Sequence, residues 1–72
     1  MNVYEAFGRK LRLIRREKRL TQTEAGALVG QSCFYISKVE SGSHRIPLEK
    51  AIQIAQTLGF SLHELEVEAN DS

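Results

Sequence analysis

The sequence predicts an all-α fold class, and three observations carry that prediction. Apolar residues recur at three- and four-residue spacing along most of the chain, and no stretch alternates with a period of two. Capping-box signatures stand at Asn2, Thr21 and Ser61, each followed three residues later by a glutamate. The chain has 72 residues, 42% of them hydrophobic, which suits one small domain with one core. Five compact helices with short joins follow from these signals.

The first helix is expected from about Val3 to Lys18, capped by Asn2 with Glu5 reaching back. Tyr4, Phe7, Leu11 and Ile14 form its buried stripe, and Arg9, Lys10, Arg12, Arg16, Lys18 and Arg19 fall largely elsewhere. Leu20 closes the turn into a second helix at roughly Gln22 to Val29, with Thr21 and Glu24 as its capping box. Within it the small pair Gly26 and Ala27 permits close backbone approach, and Gly30 can leave a helix at positive φ. Ser32 caps a third helix over about Cys33 to Glu40, with Ile36 and Val39 facing inward and Gly42 as the stop.

Residues 41–47, SGSHRIP, are polar and end in the only proline, so they read as a loop leading into a helix start. The fourth helix spans about Leu48 to Leu58, buries Leu48, Ala51, Ile54, Ala55 and Leu58, and ends at Gly59. Ser61 with Glu64 opens a short fifth helix containing Leu62 and Leu65. The acidic tail from about residue 67 is expected to fray.

Charge is distributed unevenly. All ten Lys and Arg residues lie at or before Lys50, against five acids there, a balance of +5. Residues 51–72 hold four acids and no Lys or Arg, a balance of −4. The net +1 hides a basic face and an acidic end. A lone cysteine, Cys33, excludes an internal disulfide and a cysteine-based zinc site. No run approaches a transmembrane length and no signal-like start is present, so a soluble, cytoplasmic domain is expected, nucleoid-associated when bound to DNA. His44 and His63 lack a surrounding ligand cluster, and neither a metal nor a cofactor is expected. Nucleophile–base pairs and phosphate loops are also missing, so the chain does not read as an enzyme.

Two short capped helices around a glycine turn, over about residues 22–41, suit a helix-turn-helix, whose second helix enters the DNA major groove. The pattern GxxLxxxR from Gly8 to Arg15, TQ at Thr21 and Gln22, Gly30, ISKVESG from Ile36 to Gly42 and IAQTLGFSLHEL from Ile54 to Leu65 together resemble the Cro/C1-type (XRE-like) helix-turn-helix family. That resemblance spans about residues 5–65 and implies a lambda-repressor-like five-helix domain of a DNA-binding transcriptional regulator. Two residues depart from the family pattern: Ala25 stands where leucine is usual, and Gly26 where alanine is frequent. Leu28 either swings in to fill the space left at Ala25 or stays exposed.

The resemblance also implies roles. Gln22, at the start of the second helix, hydrogen-bonds the DNA backbone in the family, and Thr21 beside it can do the same; the plainer reading of Gln22 is a good helix former. Early exposed positions of the third helix read bases, here Cys33, Phe34, Ser37 and Lys38. Cys33 and Phe34 are unusual there and fit thymine methyl contact, a partner-protein surface, or packing back on the domain. A redox role for Cys33 is a further reading, against that of a small apolar residue. Tyr35 matches a family aromatic that reaches phosphate or packs on the second helix. Arg45 matches a phosphate clamp, and plain surface exposure is expected for His44. Arg15 and Glu40 match a largely buried structural ion pair between the first and third helices.

Two functional classes result. The leading one is a sequence-specific transcriptional regulator, a repressor or controller, that binds a palindromic operator in double-stranded DNA as a homodimer. With no separate dimerisation domain expected, Phe60, Leu62 and Leu65 are the interface candidates, beside their role in the monomer core. The alternative is an antitoxin-type interaction module that neutralises a partner protein such as a toxin, with Phe34, Leu28 and the acidic tail as its supporting features.

Overall fold

Side-chain caps set the first three helices. In the computed structural model, which describes residues 2–62, α1 covers Val3–Glu17, α2 Gln22–Leu28, α3 Cys33–Glu40 and α4 Leu48–Leu58. Asn2 Oδ1 accepts from the Glu5 amide at 2.9 Å while the Asn2 amide donates to the Glu5 carboxylate at 3.4 Å. Thr21 and Glu24 repeat the exchange at 3.0 and 2.9 Å, and Ser32 Oγ accepts from the Tyr35 amide at 3.2 Å. Each cap satisfies amide donors that the first helical turn cannot pair internally. Gly59 ends α4 in the left-handed region at φ 81°.

The bounds of α3 and α4 coincide with those expected, while α1 and α2 each stop one residue sooner, with Lys18 and Val29 as C-caps. Among the described residues there are four helices and no strand. The expected fifth helix lies, apart from Leu62, outside the described residues, as do His63, Leu65 and the acidic tail.

Helix α3 packs against both α1 and α2, and α4 packs on α1. Two glycines allow these approaches. A methyl group at Gly8 would collide with the carbonyl oxygen of Val39 and lie 2.8 Å from that of Glu40, so α1 passes directly over the end of α3. At Gly26 it would lie 2.5 Å from the Gln31 carbonyl oxygen, in the turn where the Gln31 amide donates to the Gly26 carbonyl at 2.7 Å. The close approach expected of Gly26 and Ala27 therefore rests on Gly26, since Ala27 is exposed.

Phe7 and Leu11 of α1 meet Ile36 and Val39 of α3 and Ile54 and Leu58 of α4 in one apolar cluster. Ala6 is fully buried there too, whereas Tyr4 and Ile14 of the expected stripe are only half-buried. Phe60 closes the core against Phe7, with ring centroids 5.8 Å apart. Burial departs from expectation at Leu48 and Ile46, and Ala51 is only half-buried, while Leu28 takes one of the two outcomes left open for it. Leu48 is 71% exposed: it sits in the first turn of α4 at the rim of a groove shared with Val3, itself exposed, rather than over the core. Ile46, in the loop read as polar, is buried in the core. Leu28 is exposed and does not fill the space beside Ala25, which is itself completely buried.

Candidate nucleic-acid interface

An ion pair holds α3 in place. Arg15 Nε donates to Glu40 Oε2 at 2.6 Å and Arg15 Nη2 donates to Oε1 at 3.1 Å, a two-pronged contact with both side chains largely buried. Arg15 Nη1 also donates to the Leu20 carbonyl at 2.9 Å, tying the α1–α2 turn to the same guanidinium. The hydrogen bond to Glu40 raises the Arg15 pKa further above its ordinary value, which keeps the pair charged. Gln22 completes the cluster, its Nε2 donating to Glu40 Oε1 at 3.2 Å. Sequence reasoning gave Gln22 only to DNA or to helix propensity. No local signal marks the contact, because its partner lies in another helix.

With its inner face held by Ile36 and Val39, α3 turns Phe34, Ser37 and Lys38 outward, and all three are exposed. Phe34 is 74% exposed, which removes the reading in which it packs back on the domain. Cys33 is half-buried, with a free thiol. The Lys38 carbonyl accepts from the Ser41 hydroxyl at 2.8 Å and the Ser43 hydroxyl at 3.3 Å, which fastens the following loop to the end of α3.

Tyr35 is half-buried against the core and meets His44 edge to face, ring centroids 5.2 Å apart. Burial raises its phenol pKa. His44 is thus a half-buried packing partner rather than the free surface residue expected. Arg45 is exposed, and its guanidinium lies 5.7 Å from the Tyr4 ring centroid in a cation–π contact that bridges the loop to α1. Thr21 spends its side chain on the α2 cap. Of the dimer candidates, Phe60 is buried in the monomer core, Leu62 is half-buried against it, and Leu65 lies outside the described residues.

Among the described residues no group of three or more His, Cys, Asp or Glu is arranged to hold a metal ion. No described helix is long and apolar enough to cross a membrane. The site is a structural frame carrying a short helix that turns Phe34, Ser37 and Lys38 outward.

Comparison with known proteins gives the family. Residues 6–67 match the helix-turn-helix domain family (HTH_31). The chain is 33% identical over 56 residues to y4mF of Sinorhizobium fredii, an uncharacterised HTH-type transcriptional regulator, a match covering 78% of this chain and 74% of that one. Among solved structures it resembles the clp gene regulator ClgR of Corynebacterium glutamicum, with a TM-score of 0.83 and 28% identity over 99% of this chain and 76% of that one. It also resembles the restriction–modification controller protein C.AhdI of Aeromonas hydrophila, with a TM-score of 0.75 and 31% identity over 86% of this chain and 90% of that one. The chain belongs to the helix-turn-helix family of the XRE/Cro-like type, whose members are DNA-binding transcriptional regulators.

Proposed function

We propose that the chain is a repressor or controller that reads a palindromic operator in double-stranded DNA as a homodimer, with α3 as its recognition helix. One observation carries this reading. Helix α3 exposes Phe34, Ser37 and Lys38 while its opposite face is buried and its end is held by the Arg15–Glu40–Gln22 cluster. In this reading Lys38 and Ser37 donate to base edges or phosphate, and Phe34 and Cys33 contact thymine methyl groups. Thr21, Gln22, Tyr35 and Arg45 face the backbone, where contacts set register rather than sequence. Likeness to a gene regulator and to a restriction–modification controller supports the same role.

Two copies are part of the proposal because one module of this kind covers only about 600–1,000 Å² on DNA, too little for strong specificity. The proposed contact face is an apolar groove of about 330 Å³ to which Val3, Leu48 and Leu62 contribute and α3 does not. A second copy seated there leaves both recognition helices free for half-sites about 34 Å apart.

Selection from random-sequence duplexes, followed by anisotropy titration, tests the proposal. The expected product is a two-fold site whose affinity falls steeply with salt. Lys38→Ala should change the preferred sequence, whereas Arg45→Ala should weaken all sequences alike. Enrichment of no site would sink the reading. The antitoxin alternative draws on the exposure of Leu28 and Phe34, at the two sides of the α2–α3 turn. It gains if Phe34→Ala abolishes binding of a partner protein and leaves DNA affinity intact.

A further inference from the structure

An exposed cation of α1 lies beside the outward face of α3. A shallow depression of about 170 Å³ lies where three helices meet, lined by Arg12 of α1, Gln22 of α2, and Ser37, Glu40 and Ser41 at the end of α3. Its charge is the deciding feature. The Glu40 carboxylate on its wall is already held by both prongs of Arg15 and by the Gln22 amide, so that pair contributes no net charge. Arg12 is exposed and forms no ion pair among the described residues. The depression therefore carries the unspent positive charge of one guanidinium, beside the exposed hydroxyl of Ser37.

Ser37 sits one residue before Lys38 on the outward face of α3, so an anion in the depression would flank the helix placed in the groove. Arginine presents a planar fork suited to phosphate oxygens, and phosphate contacts beside a recognition helix fix its depth and register. We propose that this depression receives a DNA backbone phosphate and that Arg12 is its principal ligand. The assignment rests on the DNA-binding reading above and adds to it a contact from α1, outside the helix-turn-helix itself.

The test measures binding of the full chain to a fluorescein-labelled 20-base-pair mixed-sequence duplex across a series of potassium chloride concentrations. Loss of one phosphate contact lowers the slope of log affinity against log salt by about 0.9. Arg12→Gln should show that decrease with an unchanged melting temperature, and Arg12→Lys should restore most of the slope. Arg9→Gln, which removes an exposed α1 cation that does not line the depression, should leave the slope unaltered. An unchanged slope in Arg12→Gln, or an equal decrease in Arg9→Gln, overturns this assignment while the DNA-binding reading stands. If the unmodified chain shows no salt-dependent binding, the functional reading falls and this assignment falls with it.

Discussion

The two ends of α1 are held by different physics. At its C-terminal end Arg15 meets α3 through a directional network that reaches Glu40, Leu20 and Gln22. At its N-terminal half Phe7 meets Phe60 and α4 through apolar contact. The first arrangement specifies an orientation, because a two-pronged ion pair tolerates little displacement. The second supplies burial, which is non-directional and tolerates repacking. If α3 reads bases as proposed, it needs the first kind of support, since its side chains must then meet base edges at hydrogen-bond distance.

Disrupting each end shows the difference. Glu40→Ala strands the Arg15 guanidinium in a largely buried site and should cost about 3–5 kcal/mol in urea denaturation. Replacing Arg15 and Glu40 together with apolar residues should cost much less than the sum of the single changes, as a double-mutant cycle would measure. Phe60→Ala should cost a similar 3–5 kcal/mol. The folded fraction of that variant should keep the wild-type sequence preference, because α3 remains pinned. If Phe60→Ala altered the preference, the division of labour would be wrong.

Gly8→Ala ranks next, at about 1–3 kcal/mol, because the added methyl meets backbone carbonyls of α3 rather than a movable side chain. The smallest effect concerns the α2 cap. Hydrogen bonds from the Thr21 amide and hydroxyl hold the Glu24 carboxyl below its ordinary pKa. Its contribution to stability is therefore present above the ordinary carboxylate range and is lost as pH falls through the depressed value. Glu24→Gln should remove that small acid-side component and leave the rest of the pH–stability curve in place.

Among the described residues, local signals were legible in the sequence where both partners lie within one turn. Asn2 with Glu5 and Thr21 with Glu24 form the boxes that their spacing implies, and α3 and α4 run over the residues their periodicity marks. Periodicity failed at Leu48 because it says which residues share a helix face, not how far a neighbouring helix extends over that face. It failed at Ile46 because a single apolar residue in a polar loop has no period to be read. At the candidate site, the outward placement of Ser37 and Lys38 was legible from the motif, but the hold on Gln22 was not.

Taken by itself, the sequence determined the caps at Asn2, Thr21 and Ser32, the turn, and the bounds of α3 and α4, all of which depend on interactions a few residues apart; its family pattern added the distant Arg15–Glu40 pair. The tertiary structure alone decided that Gln22 bonds Glu40, that Leu48 stands exposed beside Val3, that Tyr35 packs on His44, and that Arg12 shares a depression with Ser37. Those outcomes depend on the distance and rotation between helices, which Gly8, Gly26 and the Arg15–Glu40 pair set jointly and no single segment encodes.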